Sequence, residues 1–323
     1  MEVNDSISVA LCTYNGERYL SEQLESIANQ TLLPSELVVC DDGSKDGTAD
    51  LVAAFARSAP FPVRFIRNDR NLGSTRNFEQ AIHLCEGNVI ALCDQDDWWD
   101  PQKLETLTNA LRTSGAGGAF SDALLMDDNS ALTGTTLWEV ALFSSAGSGM
   151  GETSDRERAI RRILRGNMVT GATLVFRSAL RPLLLPFPEL WIHDGWIAWM
   201  LVLKSGMVAC DQPLIRYRIH TSQQVGMPGL SWRDRLRRGR ATGAHDCRLE
   251  EMRISELLDY AKSHPGICSP ELCRRIDEKR RHAAFRAELK PAKWARWREI
   301  ALRSSAYQDY SYGWRSMLKD ALL

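Results

Sequence analysis

Two aspartates that end an apolar run could bind a divalent cation. The run from Val89 to Cys93 stops at Asp94, and Asp96 and Asp97 follow directly. Alternate residues of an extended chain face the same side, so Asp94 and Asp96 can approach one point. Two carboxylates that face one point repel each other unless a cation lies between them. Hard oxygen ligands of this kind suit Mg²⁺ or Mn²⁺. The pattern predicts a metal site, with an acidic, solvated turn after a strand as the plain alternative.

The elements that would position these aspartates alternate along the first hundred residues. Four apolar runs bounded by turn residues predict strands: Ile7–Thr13, Leu37–Cys40, Val63–Ile66 and Val89–Cys93. Helical spacing between them predicts a parallel sheet with right-handed crossovers. Ligands of such sheets bind at the carboxyl ends of the strands, where three polar clusters fall. The clusters are Thr13-Tyr14-Asn15, Asp41-Asp42 and Asp94-Gln95-Asp96.

Two common nucleotide-binding classes are disfavoured by the absence of their glycine motifs. No Gly-x-Gly-x-x-Gly stands after the first strand, and the chain contains no Gly-x-x-x-x-Gly-Lys-Ser/Thr. A dinucleotide dehydrogenase and a P-loop enzyme therefore lose most of their support.

Charge divides the chain into an acidic body and a basic tail. Residues 1–230 carry 19 Lys and Arg against 28 Asp and Glu, whereas residues 231–323 carry 21 against 13. The tail has helical periodicity, and Ser269-Pro270 supplies an N-cap and a first-turn proline. We expect a catalytic domain over residues 1–230 and a mainly helical extension over residues 231–323.

Composition also indicates the compartment. None of the eight cysteines forms a Cys-x-x-Cys pair, and several lie in apolar runs, which fits reduced thiols. The N-terminus is polar, and no apolar run approaches the length of a spanning helix. We expect a cytoplasmic protein. The basic tail, with Trp294, Trp297 and Trp314, could contact the inner face of the cytoplasmic membrane. We expect no nucleic-acid partner.

Five motifs follow one another over about residues 6–226. They are Thr13-Tyr14-Asn15, Asp41-Asp42-Gly43-Ser44 with Asp46-Gly47-Thr48, Asn71-Leu72-Gly73 with Asn77, Asp94-Gln95-Asp96-Asp97, and His193-Asp194-Gly195-Trp196 with Arg216-Tyr217-Arg218-x-His220. Taken together, they resemble the motifs of family 2 glycosyltransferases of the GT-A fold. The closing pair is similar to bacterial members that include rhamnosyltransferases for surface polysaccharides.

This resemblance implies a mostly parallel GT-A sheet flanked by helices and a sugar transfer that depends on Mn²⁺ or Mg²⁺. The donor would be dTDP-rhamnose or a UDP-sugar, and the acceptor a hydroxyl of a surface-polysaccharide or lipid-linked saccharide. A single base opposite the leaving group favours in-line displacement with inversion, and Asp194 is the candidate base.

The resemblance also assigns the remaining site residues. Asp96 would bind the metal, Asp94 would bridge metal and ribose, and His220 would bind metal or diphosphate. Asp41 would accept a hydrogen bond from the nucleobase, and Tyr14 could stack on that base. Arg216 or Arg218 would pair with phosphate oxygens. The other expected nucleotide-sugar contacts are Thr13, Asn15, Asp42, Asn77 and Gln95. Asp97 is equally well explained as a structural turn residue, and His193 is expected to be structural.

Two other functions remain open on the sequence. A sugar nucleotidyltransferase shares a related sheet, but it needs a Gly-rich loop with Arg and Lys where this chain has Asn15-Gly16-Glu17-Arg18. A silent nucleotide-sugar binding module would not need Asp94, Asp96 and Asp194 together.

Overall fold

A computed structural model describes residues 5–140, 154–167, 169–220, 243–289 and 293–322. It confirms the predicted α/β class, with a central sheet flanked by helices and a helical C-terminal extension. The chain divides into two compact units. The first comprises residues 1–156, 168–187 and 192–228, and the second comprises residues 157–167, 188–191 and 229–323.

The first half of the first unit alternates strands and helices, as the apolar pattern predicts. It contains the strands β1 (Ile7–Thr13), β2 (Glu36–Asp41), β3 (Val63–Arg67) and β4 (Val89–Asp94), and the helices α1 (Leu20–Ala28), α2 (Thr48–Ala56) and α3 (Ser74–Leu84). The four strands are parallel in the order β3-β2-β1-β4. β1 and β2 are buried throughout, which explains their nearly continuous apolar sequences.

Beyond β4 the sheet becomes mixed. The strands here are β5 (Trp98–Trp99), β6 (Gly118–Met126), β7 (Leu132–Thr136), β8 (Leu174–Arg177) and β9 (Met207–Arg218). β8 lies antiparallel between β4 and β6, β9 lies parallel to β6, and β5 and β7 pair antiparallel with β9 and β6. The expectation of a mostly parallel sheet thus holds for the first four strands.

β9 is longer than its apolar pattern predicts. The sequence indicates extended structure only at Val208–Cys210, because Asp211 and Gln212 are polar and Pro213 lacks an N–H. In the structure the strand continues through these three residues. Its register with β6 shifts there, so that Asp122 pairs with Pro213. This continuation places Arg216, Tyr217 and Arg218 beside the carboxyl end of β6.

The remaining helices are, in chain order, α4 (Lys103–Ser114), α5 (Leu137–Val140), α6 (Ser154–Arg165), α7 (Arg181–Leu184), α8 (His193–Lys204), α9 (Ala244–Ser263), α10 (Pro270–Ala287), α11 (Lys293–Leu302), α12 (Ser304–Tyr310) and α13 (Trp314–Leu322). α4 begins two residues after Pro101 and is followed by Gly115, whose φ of 68° is the left-handed conformation common at helix C-termini. The predicted cap of α10 is present, because the Ser269 side chain accepts from the backbone N–H of Leu272 at 3.2 Å.

The second unit contains a small hydrophobic core with ion pairs around it. Ile300, Tyr307 and Ala321 form that core. Asp320 accepts from Arg286 at 2.7 Å and from the Tyr307 hydroxyl at 2.7 Å. No helix in the described part of the chain is long and apolar enough to cross a membrane. The predicted boundary between residues 230 and 231 lies outside the described residues.

Candidate active site

A cavity of about 540 Å³ opens at the carboxyl ends of the strands in the first unit. Its position follows from strand register, which pairs Thr13 with Asp41 and Cys12 with Asp94. Ten of the predicted site residues line it: Thr13, Tyr14, Asn15, Asp42, Asn77, Asp94, Gln95, Asp96, Asp194 and His220. Asp41, Arg216 and Arg218 are not among its lining residues.

The loop after β1 is held in place by Gln95. The backbone N–H of Tyr14 donates to Gln95 Oε1 at 2.8 Å, and Gln95 Nε2 donates to the Tyr14 carbonyl at 3.1 Å. A Cβ added to Gly16 would lie 2.3 Å from Gln95 Oε1, so a larger residue there would displace the Gln95 amide. The Gln95 amide therefore holds the backbone of Tyr14, a half-exposed residue, in position at the cavity.

The two aspartates that end β2 have different surroundings. Asp41 is fully buried and accepts from the Thr13 hydroxyl at 2.8 Å and the Ser44 backbone N–H at 2.9 Å. Asp42 accepts from the backbone N–H groups of Leu72 and Gly73 at 2.7 and 2.9 Å. Both carboxylates thus organise loops, and only Asp42 lines the cavity.

Asn77 joins two strand-end loops. Its Nδ2 donates to the Cys40 carbonyl at 2.7 Å, and its Oδ1 accepts from Asn68 at 3.0 Å. The side chain of Asn15 similarly accepts from the Lys45 backbone N–H at 2.9 Å. The loops after β1, β2 and β3 are therefore connected by side-chain hydrogen bonds.

Negative charge concentrates on one side of the cavity. Burial, with the nearby carboxylates of Asp96 and Asp194, raises the pKa of Asp94 to about 7. His220 Nε2 lies 2.7 Å from Asp96 Oδ2, and its ring contacts Tyr19 with 5.2 Å between centroids. Such a set of oxygens and one imidazole fits a hard or borderline divalent cation.

Protein side chains alone do not complete a metal site within the described residues. No three His, Cys, Asp or Glu side chains there surround one metal-sized point. Mg²⁺ sites commonly use one or two carboxylates, with the remaining ligands coming from substrate phosphates and water. Asp96 and its neighbours fit such a shared site better than a closed protein cage.

Behind these carboxylates lies a buried charge that the sequence analysis missed. Lys103 in the first turn of α4 is fully buried, and its Nζ donates to the Ala172 carbonyl at 2.7 Å and lies 3.3 Å from the Trp99 ring centroid. Burial lowers the pKa of Lys103 to about 7, although Asp97 and Asp94 favour its charged form. A lysine in a helical first turn has no sequence signal that separates it from a solvated one.

Asp97 is a structural residue of this layer. It is fully buried, its Oδ1 accepts from the Arg218 backbone N–H at 3.0 Å, and its Oδ2 has no hydrogen-bond partner among the described residues. Burial and the charges of Asp96 and Asp94 raise the pKa of Asp97 well above its usual range. Of the two explanations that the sequence left open, the geometry supports the structural one.

Neither predicted phosphate-binding arginine reaches the cavity. Arg216 stacks on Trp98 with its guanidinium carbon 3.9 Å from the ring centroid. The Arg218 guanidinium is fully buried and donates to the Asp96 carbonyl at 2.7 Å, to Ser130 Oγ at 2.8 Å and to Glu22 at 2.7 Å. Arg218 thereby supports the backbone of the aspartate motif, with its Nε, Nη1 and Nη2 groups each donating to a protein oxygen.

Asp194 lies at the start of α8 and lines the same cavity as the strand-end loops. It is the second residue of the helix, whose N-cap is Ile192. Helix N-termini favour negative charge, so this carboxylate is stabilised without being the capping residue. Asp194 and Asp96 both line the cavity, which brings the predicted base and the predicted metal ligand to one site.

Comparison with protein families identifies the first unit. The model for "Glycosyl transferase family 2" matches residues 8–180. An uncharacterised glycosyltransferase of Nostoc is 33% identical over 123 residues, and this match covers 38% of each chain. The chain thus spans well under two thirds of that relative. The Escherichia coli enzyme WfgD, a UDP-Glc:α-D-GlcNAc-diphosphoundecaprenol β-1,3-glucosyltransferase, is 24% identical over 221 residues, or 67% of this chain and 78% of the enzyme.

Solved structures support the fold. Residues 1–349 of Staphylococcus aureus TarS in complex with UDP-GlcNAc are 19% identical, with a TM-score of 0.57 over 98% of this chain and 89% of that one. The Pyrobaculum calidifontis mannosyltransferase PcManGT, in complex with GDP-Man and Mn²⁺, is 16% identical, with a TM-score of 0.56 over 94% and 76%. At these identities the likeness establishes a shared fold.

Proposed function

The chain belongs to glycosyl transferase family 2, and we propose that it transfers a sugar from a nucleotide diphosphate sugar to an acceptor hydroxyl. The observation that carries this proposal is the cavity that Asp94, Asp96 and Asp194 share with the loops after β1 and β2. Those loops offer the half-exposed Tyr14 ring and the Asp42 carboxylate for a nucleoside. The acidic side offers a base and candidate cation ligands.

In the proposed reaction the acceptor hydroxyl oxygen attacks the anomeric carbon. Asp194 takes the hydroxyl proton on a carboxylate oxygen, and the bond between the anomeric carbon and the diphosphate oxygen breaks. The nucleoside diphosphate leaves with the bonding electron pair. One base on the side opposite the leaving group favours inversion at the anomeric carbon.

The leaving diphosphate needs compensation for its growing negative charge. Asp96, with Asp94 or His220 beside it and with diphosphate oxygens and water as the remaining ligands, would hold a divalent cation. Such a cation would supply electrostatic stabilisation of the departing diphosphate. The chain contributes the orientation of these ligands, because Arg218 supports the Asp96 carbonyl at 2.7 Å. Burial and the neighbouring carboxylates of Asp96 and Asp194 raise the pKa of Asp94 to about 7, and a bound cation would favour its ionised form.

We propose UDP-sugars or dTDP-rhamnose as donors, and a polysaccharide or lipid-linked saccharide as acceptor. The motifs that resemble rhamnosyltransferases and the relationship to WfgD support this choice. A panel of UDP-, dTDP- and GDP-sugars with Mn²⁺ or Mg²⁺, scored for nucleoside diphosphate release, tests it. Release from one donor class that Asp194→Asn abolishes is expected; no release from any donor would refute the proposal.

We further propose that the C-terminal helices contact an anionic membrane surface. In α13, Trp314, Leu318 and Leu322 recur every four residues and are 68%, 42% and 58% exposed. The same helix packs Ala321 into the core of the second unit, and Ala321 lies at the edge of this stripe, three residues after Leu318. Arg315 and Lys319 flank the exposed stripe, and tryptophan beside basic residues suits the interface of an anionic bilayer. The Trp294 side chain lies outside the described part.

Vesicle sedimentation of the full chain tests this contact. Binding to vesicles with anionic phosphatidylglycerol, and weak binding to neutral phosphatidylcholine vesicles, is expected. The combined substitution Trp314→Ser, Leu318→Ser and Leu322→Ser should remove the binding. Equal sedimentation of that variant and the wild type would overturn the proposal, as would concentration-dependent dimerisation through the stripe without lipid binding.

A further inference from the structure

His193, beside the candidate base, is a cavity residue whose hydrogen-bonding capacity the protein does not satisfy. It is the first residue of α8 and is only 7% exposed, yet it lines the cavity with Asp194 and Gly171. Its Nδ1 is buried without a hydrogen-bond partner among the described residues. Polar atoms of largely buried side chains are usually paired. Nε2 also makes no hydrogen bond to the described residues, and unlike Nδ1 it is not sealed, so it is the nitrogen that a ligand in the cavity can reach.

Two neighbours hold the imidazole in a fixed orientation. Its ring stacks on Phe78, with 4.2 Å between centroids and 28° between planes. On the other side, a Cβ added to Gly171 would lie 2.9 Å from His193 Nε2. A Cβ atom is rarely found so close to a neighbouring atom. Nε2 can therefore occupy this position because Gly171 has no side chain.

The imidazole is neutral, and its proton belongs on Nε2. Burial lowers the pKa of His193 to about 3, so the ring is uncharged at physiological pH. A neutral imidazole has one N–H donor and one acceptor nitrogen. A buried N–H without a partner is rarer than an under-satisfied acceptor. Because Nδ1 is the sealed atom, Nε2 carries the proton on the side of Gly171.

We propose that His193 is a substrate-binding residue whose Nε2–H donates a hydrogen bond to a hydroxyl oxygen of the donor sugar or of the acceptor. This inference rests on the proposed glycosyl transfer and assigns part of its specificity. The contact lies one residue from Asp194, so it would orient a sugar hydroxyl near the carboxylate that accepts the proton. His193 acts as a neutral donor and takes no part in proton transfer.

Three substitutions separate the two nitrogens. The amide nitrogen of glutamine falls near the position of Nε2 in histidine, and that of asparagine near Nδ1. His193→Gln should therefore retain most of kcat/KM, whereas His193→Asn and His193→Phe should lower it about fivefold to tenfold, the usual loss for one neutral hydrogen bond. Phenylalanine also preserves the stack on Phe78, so thermal midpoints close to that of the wild type are expected.

Deoxy analogues identify the oxygen and its source. Monodeoxy forms of the donor and of the acceptor are compared in the wild type and in His193→Phe. For one analogue, kcat/KM of the wild type should be about fivefold to tenfold lower than for the parent substrate, which corresponds to one neutral hydrogen bond. In His193→Phe the same analogue should cause no further loss of kcat/KM. If the analogue with this penalty is a donor, His193 contacts the donor sugar. If it is an acceptor, His193 contacts the acceptor. Gly171→Ala, which displaces Nε2 while keeping His193, should reproduce the pattern.

The outcomes that would overturn the inference are distinct from failure of the proposed function. An active wild type whose analogue penalties are unchanged in His193→Phe and Gly171→Ala would overturn this contact alone. Equal activity of the glutamine, asparagine and phenylalanine variants would do the same. A wild type that releases no nucleoside diphosphate from any donor would overturn the proposed function, and this inference with it.

Discussion

The buried guanidinium of Arg218 offers a direct test of how the aspartate motif is held. Its side chain is 0% exposed and donates to the Asp96 carbonyl, the Asp127 carbonyl and Ser130 Oγ, at 2.7, 3.3 and 2.8 Å. Its fourth partner, Glu22, keeps 48% of its side chain exposed. Arg218→Met would fill much of the volume but leave three acceptors without their donor.

The expected loss of stability follows from these contacts. Each of the three hydrogen bonds lost with the guanidinium costs about 1 kcal/mol. The pair with Glu22 adds about 0–1 kcal/mol, because the half-exposed carboxylate regains water. Arg218→Met should therefore lower the free energy of unfolding by about 3–4 kcal/mol. A matched control lies two residues earlier on β9: Arg216→Met removes one stacking contact with Trp98, worth about 0.5–1 kcal/mol.

Urea unfolding followed by circular dichroism, with linear extrapolation, measures both losses. A difference of about 3 kcal/mol between the two variants is expected. If Arg218 instead bound phosphate, its variant would raise the KM for the donor without this loss of stability. Equal unfolding free energies for the two variants, together with such a rise in KM, would refute the buried network.

Four further predictions concern the cavity itself. Asp96→Ala should abolish cation-dependent release of nucleoside diphosphate, and full activity of the purified variant would contradict its role. Asp194→Asn should retain donor binding by calorimetry but lose at least about 100-fold in turnover, because the base is gone; near-normal turnover would exclude it as the base. In EDTA, the pKa of Asp94 in the folded chain is about 7, above its ordinary value of 3.8. The folded chain therefore binds this proton more tightly than the unfolded chain does. As a result, the free energy of unfolding falls as the pH rises from about 3.8 to about 7. Asp94→Asn should then raise the thermal midpoint at pH 8 more than at pH 4, and an equal change at both would contradict the raised pKa. Gly16→Ala should raise the donor KM by displacing Gln95 from the Tyr14 backbone, and an unchanged KM would show that this clamp does not affect binding.

The strand-end motifs show how far local sequence can predict a site. Thr13, Asp42 and Asp96 stand at the ends of buried strands, and the register of a parallel sheet brings those ends together. Sequence reasoning placed them in one cleft because strand direction and burial are encoded locally. It could not see that Gln95 turns its amide to the Tyr14 backbone, since that contact joins positions 81 residues apart.

The roles of Asp41, Lys103 and His193 depended on packing that no pattern reveals. Asp41 and Asp42 are adjacent and chemically identical, yet only Asp42 lines the cavity. Lys103 resembles an exposed residue of a helical first turn but is buried beside Trp99. His193 was expected to be structural, and its stack on Phe78 agrees with that expectation, whereas its place in the cavity supports the substrate contact proposed for Nε2.

By itself, the sequence determined the α/β class, the parallel first half of the sheet and the edge at which the chemistry lies. These features follow from periodicity and from the ends of apolar runs, which are local properties of the chain. Only the tertiary structure decided which polar groups remain available to a substrate. Arg218 and Glu22 pair across 196 residues, and such long-range partners consume the hydrogen-bonding capacity of some side chains while leaving that of others, such as His193, open to the cavity.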